Sequence, residues 1–503
     1  MYEITLLYSV ACGGLLCILA LRRPVYHFTQ TYCPPAFRPF YAIGRAVSAY
    51  LIYPTVAHGG KSFDRWSRRD VLLLLVYIGA TISCIVLPLS GINQIILRSG
   101  TLSVVNFIFC YAGPYLGFLA DVLGLSLRSC RRLHGTVGTL AVGLAAFHAA
   151  TGGVAKGRLD LHSPKDVFAL VSILCLCAQV IPLALRSFSY EAALRIHQMF
   201  AVAFAYGLWR HVSSTKLFPR LYLYVGGALF LTISLCWAAS VSYRNRSGLS
   251  TAQISYDNGA IKVTLHLSKP LKLKAGQYIN LWIPSAGLGS AAQTHPFTVI
   301  SWSDKPQKHL DLFIEPRGGL TKHLAALSEQ GPTSRRAMLS GPHGKQLPIY
   351  SYENVVMLAT GFGIAAHLPY LRKLIHDQNS RATSTRRIHL VWQIERRDVG
   401  IAAQKLLNEA LDEDKLDGEY NLHMSIFIKS ENINEVKFGD RATAYPGEIP
   451  LADIVLSEVR ERRPGSRTII SVAAKGAIRD ALNDLLWQNR HSNMDIVYTD
   501  YQP

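Results

Sequence analysis

The feature that most constrains this fold is a set of long apolar segments, all in the first half of the chain. A helix that crosses a bilayer needs about 20 mostly apolar residues. Segments of about that length cover residues 4–21, 70–91, 103–125, 134–152, 166–186, 193–213 and 218–241. The sequence therefore predicts a bundle of about seven transmembrane helices. The first segment has no basic leader and is followed by Arg22 and Arg23, which favours an uncleaved anchor over a signal peptide.

Basic residues in the short loops predict the orientation of the bundle. Residues 22–69 hold eight lysines and arginines and residues 126–133 hold three, whereas residues 92–102 and 153–165, on the other side, hold one and three. Because cytoplasmic loops carry the excess of basic residues, the N-terminus is expected outside and the C-terminal half in the cytosol. Membrane topology then accounts for the net charge of +19, and no nucleic-acid partner is expected.

Four histidines lie within the apolar segments in two pairs of identical spacing, His134 with His148 and His197 with His211. Fourteen helical steps separate the members of a pair by roughly 21 Å and return to nearly the same face. Two such helices place imidazoles opposite each other at two depths. Ionisable groups inside a membrane are usually functional, and neutral imidazole is an axial ligand of haem iron. The sequence predicts two haem b groups, one between His134 and His197 near the cytosol and one between His148 and His211.

Beyond residue 243 the pattern changes from long apolar runs to short strands separated by turn residues. The strands predicted in the first part of this region are residues 261–267, 278–283 and 297–302. They are rich in β-branched and aromatic residues, which predicts a small antiparallel barrel. From residue 353 onward, apolar strands alternate with helical segments, and this order predicts an α/β domain.

A glycine-containing turn follows the first strand of the predicted α/β domain. The strand covers residues 354–359, and the turn that leads into a helix is Thr360-Gly361-Phe362-Gly363-Ile364. In this arrangement the backbone N–H groups at the helix N-terminus bind a phosphate. The turn therefore indicates a nucleotide site.

Several motifs in the second half of the chain occur in a familiar order. They are His295-Pro296-Phe297-Thr298, Arg317-Gly318-Gly319-Leu320-Thr321, Gly341-Pro342-His343-Gly344 and Thr360-Gly361-Phe362-Gly363-Ile364. In turn they resemble the H-P-F-T flavin motif, the R-G-G-L-T segment near the FAD pyrophosphate, the G-P-Y-G segment and the G-G-x-G-I pyridine-nucleotide loop of fungal ferric reductases, within the ferric reductase/NADPH oxidase superfamily. The segment from Arg186 to His211 is similar to the second haem helix of that family, and the resemblance covers roughly residues 95–503.

The resemblance implies a ferredoxin-NADP reductase-like pair of domains after the haem bundle. The resemblance implies residues 96–243 with the haem bundle, residues 244–348 with FAD and residues 349–503 with NADPH. The apolar segments and basic residues predict that residues 1–95 hold the anchor helix, the basic loop and the second helix. Thr298 and its strand are expected at the isoalloxazine ring and Arg317 at the phosphates. Arg396 and Arg397 are expected at a 2′-phosphate, which favours NADPH over NADH.

Two departures from the family pattern bear on hydride transfer. The family's V-C-G-P segment, with its thiol near the nicotinamide, is replaced here by Val472-Ala473-Ala474-Lys475. The family's C-terminal E-x-Y-Q-W is replaced by Asp500-Tyr501-Gln502-Pro503. Tyr501 keeps the first aromatic residue of that tail and is the predicted catalytic residue.

The expected activity is transfer of electrons from cytosolic NADPH through FAD and two haems to a ferric or cupric chelate outside, at the plasma membrane. On the outer side Lys156, Arg158 and Lys216 are candidates for attracting an anionic chelate. Two alternatives stay open. One is an oxidase that passes electrons to dioxygen and makes superoxide, and the other is a non-catalytic haem protein whose nucleotide domain has degenerated.

Overall fold

The computed structural model describes most of the chain, and its residues form two compact units. The described residues are 2–32, 47–57, 65–88, 91–157, 160–212, 217–287, 290, 293–414, 421–430, 436–438, 440–460, 463, 466–489 and 494–502. Residues 1–34 and 73–240 belong to the first unit, here called the membrane unit, and residues 35–72 and 241–503 to the second, the soluble unit. The basic residues Arg38, Arg45, Lys61, Arg158 and Lys216 lie outside the described residues.

The membrane unit is made of helices. They are α1 (Tyr2–Tyr32), α2 (Arg68–Val86), α3 (Ile92–Cys110), α4 (Leu116–Leu123), α5 (Leu127–Lys156), α6 (Pro164–Ala178), α7 (Val180–Leu185), α8 (Tyr190–His211) and α9 (Leu217–Asn245). Within the described residues, six helical runs are long and apolar enough to cross a bilayer, with α3–α4 and α6–α7 each forming one run. Helix α8 has the length but not the composition, because it carries Arg195, Gln198 and two histidines.

Capping and close packing fix the helices that carry the histidines. Helix α5 starts at the cap residue Ser126 and α8 at Ser189, and each hydroxyl accepts a hydrogen bond from a backbone N–H in the first turn. Helix α5 packs along α3, where the Ser103 hydroxyl donates to the carbonyl of Ala141 at 2.8 Å. Helix α8 packs along α6, and Gly207 permits the approach because a Cβ there would lie 2.6 Å from the Ser172 hydroxyl.

A buried polar cluster joins the first three helices. The hydroxyls of Tyr8 and Tyr77 both donate to the Asn106 side-chain oxygen, at 3.1 and 2.6 Å, and the Asn106 amide donates to the carbonyl of Leu102. Hydrogen bonds of this kind hold membrane helices together where apolar packing alone gives no preference over lipid. The cluster therefore ties α1 and α2 to α3.

The first part of the soluble unit is a six-stranded antiparallel sheet with one helix. Its elements are β3 (Ser250–Asp257), β4 (Ala260–Leu271), β5 (Tyr278–Trp282), β6 (His295–Thr298), β7 (Gln307–Ile314), α10 (Leu320–Ser328) and β8 (Thr333–His343). The strand order is β6-β5-β8-β3-β4-β7. Alternate side chains fill one core, as the sequence pattern predicts. Strand β6 ends earlier than predicted because the next two N–H groups donate to Gln277 and Asp311 instead.

The second part is a seven-stranded sheet with helices. Its elements are β9 (Asn354–Thr360), α11 (Ile364–Asn379), β10 (Arg387–Ile394), α12 (Arg397–Glu413), β11 (Leu422–Ile428), β12 (Val436–Phe438), β13 (Ala442–Pro446), α13 (Leu451–Arg460), β14 (Thr468–Ala473), α14 (Gly476–Gln488) and β15 (Met494–Tyr498). The order is β12-β13-β11-β10-β9-β14-β15, parallel except for β12. The order reverses between β9 and β14, where parallel sheets bind their ligands.

Part of the basic loop between α1 and α2 packs on this second sheet. We call the described residues 50–57 and 65–68 the strap; they include the paired strands β1 (Thr55–Ala57) and β2 (Trp66–Ser67). Tyr53 is 7% exposed and lies in a core with residues of β9, β14 and α14. Arg65 donates to the carbonyls of Ile52 and Tyr53 and lies 3.8 Å from the carboxylate of Asp480. The described part of this loop, which was expected only to carry charge, thus packs as part of the nucleotide domain.

Candidate functional site

The four membrane histidines lie in two facing pairs. The ring centres of His134 and His197 are 6.2 Å apart with planes at 67°, and those of His148 and His211 are 6.4 Å apart with planes at 70°. One member of each pair comes from α5 and the other from α8. The structure therefore brings together the residues that the spacing of the sequence paired.

The separation within each pair fits two rings bound to one metal ion from opposite sides. A metal–imidazole bond is about 2.0–2.1 Å long. Adding about 1 Å from ring nitrogen to ring centre on each side gives centres about 6 Å apart. Both pairs have that separation, so the donor set fits a haem iron with two axial histidines.

Backbone carbonyls orient His148 and His211, here called the outer pair after the orientation that the sequence predicts; His134 and His197 are called the inner pair. The Nδ1 atom of His148 lies 2.7 Å from the carbonyl oxygen of Ile96, and that of His211 lies 3.1 Å from the carbonyl oxygen of Lys165. Since a carbonyl only accepts, each Nδ1 carries the proton. The Nε2 lone pair is then free for a metal, and the ring orientation is set before any cofactor binds.

Within the described part of the chain, His134 of the inner pair lacks this second contact. The Nδ1 atom of His134 is buried and has no hydrogen-bond partner among the described residues. The Gln179 amide donates to the backbone carbonyl of His197 on the facing helix at 3.3 Å and so contacts the helix rather than the imidazole. Among the described residues, the His134 ring is therefore held by packing rather than by a directed hydrogen bond at Nδ1.

Two glycines that the sequence reasoning missed make room for the rings. A Cβ on Gly100 would lie 2.7 Å from the Nδ1 of His148, and a Cβ on Gly113 would lie 3.1 Å from the Cε1 of His134. The glycines are thirteen positions apart, one fewer than the histidines they face. The two glycines could have been found from the sequence, because their spacing nearly equals that of the histidine pair in the next apolar segment.

A salt bridge lies beside the outer pair. Lys156, at the end of α5, pairs with the carboxylate of Asp166 at the start of α6, which also accepts the N–H of Asp160 at 3.0 Å. Lys156 was expected to attract an anionic chelate. Its charge is instead balanced by Asp166, so it offers no net positive charge to a ligand.

The C-terminal tail lies along the predicted flavin strand. The Thr298 hydroxyl donates to the carbonyl of Asp500 at 3.1 Å, and the Thr298 N–H donates to the carbonyl of Tyr501 at 3.3 Å. The tail is also held by Arg479, which contacts the Asp500 carboxylate at 3.2 Å. Residues two hundred positions apart in sequence thus meet at one site.

Tyr501 forms a three-membered cluster with Arg317 and Glu315. Arg317 donates to the Tyr501 hydroxyl at 2.5 Å and to Glu315 at 2.8 Å, and the Tyr501 hydroxyl donates to Glu315 at 2.6 Å. Burial and the bond to Glu315 raise the pKa of Tyr501, so the phenol stays protonated. Arg317, expected at the FAD phosphates, is directed to the tail instead.

The segment after Arg317 leaves backbone open for a ligand. A Cβ on Gly318 would meet nothing within 4 Å, and Gly319 has a φ of +60° at the start of α10. The Thr321 hydroxyl accepts the N–H of Arg317 at 2.8 Å, which fixes this turn. Open N–H groups at a helix N-terminus fit a pyrophosphate.

Other residues predicted to bind the flavin have different surroundings. The side chains of Phe297 and Leu320 are 3% and 1% exposed and lie in the core of the first sheet. Pro296 pairs with Asn280 across β5 and β6, and the His295 ring lies 3.4 Å from the Gln293 side-chain oxygen. Phe297 and Leu320 therefore position the backbone rather than offer their side chains to a cofactor.

The nucleotide turn is packed tightly against β14. Gly361 has a φ of +52° and open space where a Cβ would be, whereas a Cβ on Gly363 would lie 2.0 Å from the carbonyl of Ala473. The Thr360 hydroxyl accepts the N–H of Lys475 at 3.1 Å. Ile364 is buried under the turn. The segment that replaces the thiol therefore lies against the nucleotide turn.

Arg396 and Arg397 follow β10 at the same edge of the sheet. Arg397 is the first residue of α12. The Arg396 side chain is 74% exposed and pairs loosely with Asp398 at 3.5 Å. Both positions are compatible with an exposed anionic group, and neither guanidinium is buried by the fold.

Two family models match the soluble unit. The FAD-binding domain model matches residues 247–347, and the ferric reductase NAD binding domain model matches residues 352–444.

Curated relatives are fungal. The chain is 26% identical over 337 residues to the probable cell surface ferric reductase kap2 of Aspergillus oryzae, covering 60% of this chain and 44% of that protein. It is 26% identical over 314 residues to ferric/cupric reductase transmembrane component 2 of Saccharomyces cerevisiae, covering 60% and 43%. The chain thus spans less than half the length of these relatives.

Solved structures resemble the chain more distantly. A ferredoxin NADP+ reductase from Neisseria gonorrhoeae with bound FAD and NADP matches 50% of this chain and 98% of its own, with a TM-score of 0.35 and 15% identity. A flavohemoglobin from Malassezia yamatoensis matches 82% and 96%, with a TM-score of 0.40 and 15% identity. The family models and the curated relatives agree with the motifs, and on these grounds the chain is similar to the fungal ferric reductases.

Proposed function

We propose that this protein carries electrons from cytosolic NADPH through FAD and two haems to a ferric or cupric chelate on the other side of the membrane. The observation that carries the proposal is the pair of facing histidine sites, at 6.2 and 6.4 Å, in a chain that also holds FAD- and NAD-binding domains. A flavin converts a two-electron hydride donor into single electrons, which is what paired haems accept.

The strap supports the topology. It packs on the nucleotide domain, so both lie on the same side of the membrane. Between the strap and residue 241 the chain must then cross an even number of times. The five apolar runs from α2 to α9 give an odd number, and α8 supplies the sixth crossing. With NADPH in the cytosol, His134 and His197 lie toward the cytosol, and His148 and His211 toward the outside.

The histidines are the proposed haem ligands. A bound haem supplies one-electron redox chemistry at its iron. If each pair held a haem through both imidazoles, the iron would have no open position for dioxygen, which would favour electron transfer to an external acceptor. At the outer pair, hydrogen bonds from Nδ1 hold each ring in the tautomer that ligation requires.

The flavin site is proposed at the junction of β6, the start of α10 and the C-terminal tail. Thr298 and the backbone of β6 would contact the ring, and the open turn at Gly318 and Gly319 would hold the pyrophosphate. Tyr501 is the proposed catalytic residue. Its protonated phenol, fixed by Arg317 and Glu315, shields the flavin strand from water until the nicotinamide takes its place.

The nucleotide is proposed to bind over the turn from Thr360 to Ile364, with Arg396 and Arg397 at a 2′-phosphate. The names of the relatives, a cell surface ferric reductase and a ferric/cupric reductase, support a metal chelate as acceptor and the plasma membrane as location. The salt bridge at Lys156 argues against that side chain as the chelate's anchor.

Anaerobic addition of NADPH to the purified full chain tests the proposal. We expect the flavin absorbance to bleach and both low-spin haem bands to appear, followed by reoxidation when ferric citrate is added. A chain that binds flavin and haem but shows neither change has no reductase activity. That outcome would favour the second candidate, a non-catalytic haem protein, which the alanines at 473 and 474 support.

A second measurement separates the chelate from dioxygen as acceptor. With saturating ferric citrate in air, we expect iron reduction to exceed superoxide formation, because two histidines on each proposed haem would leave no open site for dioxygen. Superoxide formation that continues undiminished under saturating chelate would identify an oxidase instead.

A further inference from the structure

A lysine side chain lies at the crevice where the strand order of the second sheet reverses. The glycine-containing turn at that crevice does not account for it. Strands β10, β9 and β14 are neighbours, with β9 in the middle. The nucleotide turn follows β9, Glu395 follows β10 and Lys475 follows β14. Ligands of parallel sheets bind at this edge. Lys475 therefore stands at the opening of the proposed nucleotide site, directly before α14.

An ion pair crosses that opening. The Lys475 ammonium lies 2.7 Å from the carboxylate of Glu395, so the two side chains reach across the carboxyl end of β9 and over the turn. The backbone of Lys475 is fixed from below, because its N–H donates to the Thr360 hydroxyl at 3.1 Å. Lys429, whose ammonium pairs with Glu448, also lies near Glu395.

The ion pair of Lys475 and Glu395 is exposed, so Lys475 can leave Glu395 for another anion with little loss of stability. The Lys475 and Glu395 side chains are 70% and 58% exposed. Ion pairs in such surroundings contribute little to stability, whereas a hydrogen bond to an ionised phosphate contributes more. A pyrophosphate on the turn would therefore compete well with Glu395 for the ammonium.

We propose that Lys475 binds the dinucleotide pyrophosphate. Before the nucleotide binds, Glu395 holds the Lys475 ammonium over the turn, and the phosphate then replaces Glu395 as the partner of that ammonium. The inference rests on the proposed function, since it assumes that a pyridine dinucleotide binds here. It assigns Lys475 to the part that NADPH and NADH share and leaves the 2′-phosphate to Arg396 and Arg397.

Equilibrium binding of NADP⁺ and NAD⁺ to the full chain, measured by calorimetry in detergent with bound FAD, tests the inference. We expect Lys475→Ala to weaken both ligands by about tenfold, the equivalent of one charge-assisted contact. Lys475→Arg should stay within about twofold of wild type. Glu395→Gln removes the competitor and should tighten both by about threefold. Arg396→Ala, the matched control, should weaken NADP⁺ alone.

The outcomes separate the inference from the function. If wild type binds dinucleotide and Lys475→Ala binds it equally well, the inference is wrong while the proposed function stands. If Lys475→Ala weakens only NADP⁺, the lysine contacts the 2′-phosphate and the pyrophosphate assignment is wrong. If wild type binds neither ligand, the proposed function fails and the inference with it. Unchanged FAD content and thermal unfolding show that each variant is folded.

Discussion

The membrane unit and the soluble unit assemble their candidate sites in opposite ways. In the membrane unit the four histidines lie on two helices at one repeated spacing, and the structure pairs them at 6.2 and 6.4 Å. In the soluble unit, Thr298, Arg317 and Tyr501 come from segments up to about two hundred residues apart. A rigid helix converts sequence spacing into position directly, whereas a sheet joins segments whose spacing carries no such information.

The largest test of this comparison removes one ligand from each histidine pair. Replacing His211 by alanine should abolish one low-spin haem and leave the other, and replacing His197 should abolish the other, because an iron with one axial histidine is no longer held from both sides. Dithionite-reduced difference spectra of the purified variants measure this. His162→Ala, outside both pairs, is the control. If both haems remain in either ligand variant, the pairing is wrong.

A smaller test compares the two glycines. Gly100→Ala should lose most of the outer haem, because a Cβ 2.7 Å from Nδ1 displaces a ring that is already bound to the carbonyl of Ile96. Gly113→Ala should keep the inner haem with an altered electron paramagnetic resonance signal, since its contact is 3.1 Å and the ring of His134 has no directed bond.

Gly143→Ala, where a Cβ meets nothing within 4 Å, is the control for helix propensity. Equal loss of haem from Gly100→Ala and Gly113→Ala would show that the hydrogen bonds at the outer pair do not distinguish the two sites. Haem content per protein, measured as the pyridine complex, gives the comparison directly.

The same contrast between helices and sheets explains which features could be predicted from the sequence. Helix periodicity paired the histidines, and apolar length located the membrane helices. The motif at His295 located β6, but not that Phe297 points into the core or that Arg317 faces Tyr501. Those contacts depend on which strands are neighbours. The pairing of Lys475 with Glu395 depends on it too, because eighty residues separate them.

The packing of the strap on the nucleotide domain could not be predicted from the sequence either. The next test concerns that packing. Tyr53 is 7% exposed in a core of the nucleotide domain. Tyr53→Ala should therefore lower the free energy of unfolding by about 3 kcal/mol, as other large-to-small aromatic substitutions do. Tyr50 is 53% exposed and makes an edge contact with the Trp487 ring, so Tyr50→Ala should lower the free energy of unfolding by under about 1 kcal/mol.

Denaturant unfolding of the full chain, followed by FAD release, measures both strap variants. We expect trypsin cleavage after Arg65 to accelerate in Tyr53→Ala and not in Tyr50→Ala. Unchanged cleavage and stability in Tyr53→Ala would mean that the strap is not held by this side chain.

The last expected effect is a pH dependence confined to the soluble unit. His367, in the first turn of α11, is fully buried; its Nε2 donates to the carbonyl of Leu358 at 3.1 Å, and its Nδ1 faces the Ser471 hydroxyl on β14. Burial lowers the pKa of His367 to about 4, from 6.5 in the unfolded chain. The folded group thus stays neutral at pH values where the unfolded one is protonated.

The sign follows from which state binds the proton. Above about pH 6.5 neither state binds it, so the stability of the soluble unit is constant there; between 6.5 and 4 only the unfolded chain does, and the free energy of unfolding falls by up to about 3 kcal/mol. His367→Gln can donate to Leu358 without titrating and should flatten this dependence while the haem spectra stay unchanged. Thermal unfolding of both proteins between pH 7.5 and 4.5 measures it. Parallel curves would mean that other groups cause the acid sensitivity and that the buried imidazole joining α11 to β14 does not.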